Sequence, residues 1–133
     1  GAGATPVTAT ETVTARDAAV LAVNKSITPA VVTDNSRVTY TLTLQNTGNT
    51  AVIATDNAVI TDTFNPILTD LVVTFNGITW TEGVQYNYDE ATGLFTTVPS
   101  QILVPAATYT QDPVTGAYTL TPGIATLVVT GTI

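Results

Sequence analysis

Lys25 is the only lysine in this chain of 133 residues, and it stands in the apolar stretch Val20–Ile27. Strand alternation puts its amine on the same side as Leu21, Val23 and Ile27. A lone ammonium on an inward face is costly, so it must pair or react. One reaction open to it is an intramolecular isopeptide, in which the Lys25 amine attacks an Asn carboxamide while a buried carboxyl such as Asp62 shuttles the protons. Asn46 and Asn57 are the available acyl partners, and the bond would lower the mass by about one ammonia, roughly 17 Da. The other reading is a lysine on an exposed edge, where its charge blunts unwanted pairing.

The remaining candidates are weaker. Asp34-Asn35, Asp56-Asn57, Asp89-Glu90, Asp70 and Asp112 offer hard oxygens for a structural calcium. None follows an EF-hand or calcium-repeat spacing, and Asp and Asn occupy turns for backbone reasons alone, so no cofactor is expected. Asp89 and Glu90 are the only adjacent carboxylates. Neighbouring strand residues face opposite ways, which prevents them from converging as a glycosidase couple. Trp80, Tyr86, Tyr88, Phe95, Tyr109 and Tyr118 could form a sugar-stacking platform, with Tyr86 and Tyr88 on one strand face. Against that, aromatics near hairpins usually fill the ends of a sandwich core or make cross-strand pairs. Asn24-Lys25-Ser26 fits a glycosylation sequon. With no Cys and no His there is no disulfide, zinc site, thiol nucleophile or imidazole base, and no enzyme is expected.

The elements that must position these residues are strands. Of 133 residues, 30 are Thr, 17 Val and 8 Ile, and only 13 are charged. Side chains branched at Cβ are stiff at χ1 and pack well on a pleated surface. The clearest strand is Arg37–Gln45, with Val38, Tyr40, Leu42 and Leu44 inward and Thr39, Thr41, Thr43 and Gln45 outward. Further strands are expected over Ala58–Phe64, Leu68–Phe75 and Ile124–Ile133. Asn76-Gly77 is a type I′ hairpin signal. Asp89–Gly93 and Asp112–Gly116 each open with a turn-forming Asp and close with a Gly suited to the left-handed position of a bulge. About ten short strands at regular spacing, with no helical period, predict a β-sandwich.

Residues 1–16 carry a weaker alternation, in which Thr5, Val7, Ala9, Glu11, Val13 and Ala15 share one side. This segment is expected to be a donor or connector strand that finds its sheet outside its own sequence neighbourhood. The net charge of −7 repels phosphate backbones and anionic lipid heads, so nucleic acid is not an expected partner. The longest unbroken apolar run, Ala18–Val23, is far too short for a membrane helix. A mean hydropathy of +0.33 with so few charges hints at assembly.

Three ordered blocks carry a family resemblance: Leu21-Ala-Val-Asn-Lys25-Ser-Ile-Thr-Pro29, Arg37-Val-Thr-Tyr-Thr-Leu-Thr-Leu-Gln-Asn-Thr-Gly-Asn49 and Val59-Ile-Thr-Asp62-Thr-Phe64. Together they resemble the bacterial and archaeal surface-repeat family catalogued as domain of unknown function, number eleven. The match is close over residues 20–66 and holds only in outline elsewhere. The resemblance implies an Ig-like sandwich in an exported cell-wall, sheath or fibre protein without catalytic activity, and the isopeptide staple is known from related surface domains. It also implies a final strand of Asn-Thr-Ala-Thr-Val flavour after residues 125–133. That strand is not seen here, whereas residues 5–15 have the same Thr/Ala/Val alternation.

The resulting expectation is an all-β, Ig-like antiparallel β-sandwich over residues 17–133, preceded by a donor or connector strand over 1–16. The function expected is a structural subunit of an extracellular fibre, sheath or surface layer, a homopolymer joined by β-strand exchange. The alternative is a non-polymeric adhesin stalk or carbohydrate-binding module that meets cell wall or glycan.

Overall fold

The computed structural model describes residues 19–28 and 36–133. Ten strands make up almost all of its regular structure: β1 (Leu21–Thr28), β2 (Arg37–Asn46), β3 (Thr61–Thr63), β4 (Thr69–Phe75), β5 (Ile78–Thr79), β6 (Tyr86–Asp89), β7 (Leu94–Thr97), β8 (Thr108–Gln111), β9 (Tyr118–Thr121) and β10 (Gly123–Thr132). One sheet has the order β1-β2-β10-β4-β5, a second β3-β7-β6, and β8 and β9 form a separate hairpin. All strand pairings are antiparallel.

The core lies between the two larger sheets. From the first come Val38, Tyr40, Leu42, Leu44, Val73, Ala125, Leu127 and Val129, and from the second Tyr86 and Phe95, joined by Ile60 and Phe64 on either side of β3. The fold is therefore an all-β sandwich, as the alternation predicts. Tyr40 on β2 meets Phe64 across the layers at 4.8 Å between ring centroids, and a pair of this kind adds about 0.5–1.5 kcal/mol beyond its buried area. Threonines take three of the five outward positions on each of β2 and β10, and Thr39 Oγ1 and Thr130 Oγ1 lie 3.2 Å apart.

The turns use the expected chemistry. Asn76 and Gly77 have φ of 50° and 82°, the pair of positive values that a type I′ hairpin needs. The Asp89 and Asp112 carboxylates accept from the backbone N–H groups of Ala91 and Val114, at 2.9 and 2.7 Å.

One expectation needs correction. The strand expected over Ala58–Phe64 shrinks to Thr61–Thr63. Outside those three residues the segment is held at two points, where Ile60 N–H donates to Thr97 Oγ1 at 2.8 Å and its carbonyl accepts from Thr97 N–H at 2.9 Å, and where Phe64 N–H donates to the Gly93 carbonyl at 2.8 Å. Ile102 and Val104 join the core without belonging to a strand. Both are buried, and Val104 forms a two-bond bridge with Val52.

Candidate functional site

The alternation of β1 turns Leu21, Val23, Lys25 and Ile27 inward, and Lys25 sits opposite Leu42 of β2. In the other layer Asp62 lies at the centre of β3, flanked by the buried Ile60 and Phe64. These two strands bring Lys25 Nζ to 2.6 Å from Asp62 Oδ2, with side-chain exposures of 5% and 0%. The reading of Lys25 as an exposed edge lysine is therefore corrected: the side chain crosses the core because its strand faces inward. Its ammonium lies 4.8 Å from the Tyr40 ring centroid and 5.3 Å from that of Phe64, where the negative ring faces attract a cation.

Burial raises the Asp62 carboxyl above its usual range, while the Lys25 ammonium, and after it the Thr63 amide, pull it down. Burial likewise raises the Tyr40 phenol, with the Asp62 charge adding to the effect. Asp62 Oδ1 is buried and makes no hydrogen bond of good geometry among the described residues. A buried carboxylate oxygen without such a partner is a site for a further donor or for chemistry.

The pair marks one side of the sandwich. Among the described residues β1 is hydrogen-bonded only to β2, and β3 only to β7, so each is an edge of its sheet. Because Lys25 and Asp62 touch, the two edges lie on the same side of the molecule. The inward residues Leu21, Val23 and Ile27 are only partly covered, whereas Val38, Tyr40, Leu42 and Leu44 on the adjacent strand are at most 3% exposed. A backbone row that no other described residue pairs with, beside a half-covered apolar face, is what an added strand would fill.

The other sequence candidates go elsewhere. Asn46, named as an acyl partner for Lys25, is fully buried and committed: its Oδ1 accepts from Val20 and Gly48 N–H, and its Nδ2 donates to the Thr50 and Pro105 carbonyls. Asn57 follows the short 3-10 turn Ala54–Asp56 with φ of 53°. Neither is paired with Lys25. Asp56 accepts from Ile53 N–H at 2.8 Å, and Asp70 lies on β4. Asp34 and Asn35 lie outside the described residues, as do Thr5, Val7, Ala9, Glu11, Val13 and Ala15. No three carboxylates among the described residues are grouped closely enough to hold a metal ion. Trp80, Tyr86 and Phe95 are buried, with Trp80 stacked on Phe75 and Tyr86 on Phe95. Tyr88 uses its hydroxyl to accept from Leu68 N–H and donate to the Leu68 carbonyl. These four therefore make no surface platform, because the sandwich ends absorb their rings.

Tyr109 and Tyr118 are the exposed aromatics, at 56% and 70%. The β8–β9 register pairs Tyr109 with Leu120 and Gln111 with Tyr118. Those four residues therefore share one face of the hairpin, and Thr108, Thr110, Thr119 and Thr121 share the other. Sequence reading found the turn and missed this face, which shows only in the register. Comparison with protein-family models, curated proteins and solved structures finds no match to the chain.

Proposed function

We propose that the chain is a structural subunit of an extracellular fibre, sheath or surface layer, joined to its neighbours by strand exchange. In this reading residues 1–16 of one subunit lie along the open side of the next, between β1 and β3. The observation that carries it is the coincidence of two one-sided sheet edges, a partly covered inward face on β1, and a buried ion pair linking the two strands. Ladder bonds of about 0.5–1.5 kcal/mol each, together with apolar burial at about 25 cal/mol per Å², give such a joint durability.

Two further features support assembly. The β8–β9 hairpin carries Tyr109, Tyr118 and Leu120 on one exposed face, an apolar patch that a neighbouring subunit would cover. The resemblance of residues 20–66 to a surface-repeat family points to the cell exterior and to a building role without catalysis.

Negative-stain microscopy at rising protein concentration tests the proposal. The full chain forms filaments or sheets, and a variant lacking residues 1–16 stays as single particles that a peptide of those residues stabilises against heat. Polymers that persist after the deletion, or a full chain that stays monodisperse throughout, would overturn it.

A further inference from the structure

Two exposed apolar features of this chain, a ridge and a groove, lie side by side. The ridge is the β8–β9 hairpin. Its eight strand residues are all exposed, and among the described residues β8 and β9 pair only with each other. The register sets Tyr109, Tyr118 and Leu120 on one face, and a two-stranded ribbon alone in water is at best marginally stable. The groove is a hollow of about 450 Å³ walled by Ile53, Ala54, Leu103, Val104 and Pro105. Asn76 is the one polar side chain among the described residues lining it, and its Oδ1 already accepts from Thr126 N–H at 2.9 Å. Such walls suit an apolar occupant and give a sugar or an ion little to bind. Both strands of the hairpin spring from the rim of the groove: β8 begins at Thr108, shortly after Pro105, and Gly123, just past β9, packs against the Pro105 carbonyl.

We propose that two copies of this chain pair about a two-fold axis, with the Tyr109, Tyr118 and Leu120 ridge of each seated in the Ile53 and Leu103 groove of the other. The inference rests on the reading of the chain as an assembling subunit and adds a second joint, which makes no use of residues 1–16. Strand exchange extends a polymer, and this contact ties two polymers side by side.

Three observations name a second copy as the occupant. The chain's own hairpin leaves the groove open, since Ile53 and Leu103 remain about half exposed. The second is charge. Each copy carries −7, so two copies repel wherever their carboxylates face each other. No residue lining the groove is charged. The one carboxylate of the hairpin, Asp112, is turned into its own loop, where it accepts from the Val114 and Thr115 N–H groups. The third is area, which also decides the symmetry. Tyr109, Tyr118 and Leu120 are 56%, 70% and 40% exposed. With Ile53 and Leu103 they present roughly 500 Å² per copy, a whole large side chain offering about 150–250 Å². One ridge in one groove uses about 500 Å² in all, the size of a chance packing contact, whereas reciprocal seating doubles it to about 1,000 Å², where specific interfaces begin. Ridge and groove are adjacent on each copy, so a two-fold pairing engages both at once.

Because the chain has no cysteine, thiols introduced one at a time report this joint. Gln111→Cys places one on the ridge opposite Tyr118, and Ala54→Cys places one on the groove wall, so the apolar anchors are spared. Full-length chains of the two variants, mixed and treated with a short bismaleimide, should give about tenfold more cross-linked dimer than either variant alone, since seated thiols meet at far above their solution concentration. Adding Tyr109→Ser and Tyr118→Ser to both chains should return the yield to that of chance collision. Equal yields from the mixture and the single variants would overturn the pairing. So would a Gln111→Cys yield matching the mixture, because the ridges would then meet each other and the groove would be left to another occupant. If the serine variants fail to fold, the mixture with its tyrosines intact decides alone. Filaments without the excess defeat this joint and leave strand exchange standing, and the excess in chains that form no filaments does the reverse.

Discussion

At the scale of single residues, Lys25 and Asp62 hold each other in place. A buried pair gains little over an apolar replacement, but loss of one partner strands a charge and costs about 3–5 kcal/mol. Lys25→Met should therefore destabilise the fold by that amount near neutral pH. It leaves Asp62 without its cation, so its folded-state carboxyl, already raised by burial, rises further above the unfolded value. Between those two values the folded state binds the extra proton, and stability falls as pH rises through the window. Urea melts of Lys25→Met from acid to neutral pH should show that fall, and Lys25→Met/Asp62→Asn should remove it. Much of this site was legible in the sequence, since alternation alone sends Lys25 inward. Its pairing was not: the sequence offers Asp62 only as a proton carrier beside the acyl candidates Asn46 and Asn57, and the packing shows Asp62 in contact with Lys25 and Asn46 tied into the 46–50 turn.

At the scale of elements, β2 and β10 form the spine of the larger sheet through a register of ten residue pairs running from Gly123↔Asn46 to Thr132↔Arg37. Gly123 begins β10 where the chain from Pro105 passes against it. A Cβ there would lie 1.8 Å from the Pro105 carbonyl oxygen and 2.5 Å from its carbon. Backbone cannot swing aside as a side-chain tip does, so Gly123→Ala should cost about 3 kcal/mol or more. Gly116→Ala is the comparison: nothing but Gln111 Nε2 comes within 4 Å, and only the φ of +76° is strained, a cost of about 1 kcal/mol. Denaturant midpoints of the two variants should differ in that order, and equal midpoints would contradict the close approach. Local signals revealed β1, β2, β4 and β10 because each has a long alternation with one buried face. They overestimated β3 and passed over Ile102 and Val104, because short segments that join the core by one or two bonds have no period to read.

At the scale of the whole molecule, the chain has three trypsin sites, Arg16, Lys25 and Arg37. Lys25 is buried within β1, and Arg37 opens β2 with its guanidinium donating to Thr132 Oγ1 and the Asp70 carbonyl. Limited digestion of unassembled subunits should therefore spare the bonds after Lys25 and Arg37, and early cleavage at either would show that β1 or the start of β2 opens readily. Composition and alternation by themselves determined the architectural class, the turns and the inward face of each long strand, because those depend on side-chain branching and a period of two. The tertiary structure decided which strands are edges, that the edges of β1 and β3 lie on one side, and that a lone lysine meets one aspartate between the sheets. Such facts depend on contacts between residues far apart along the chain, which no local period encodes.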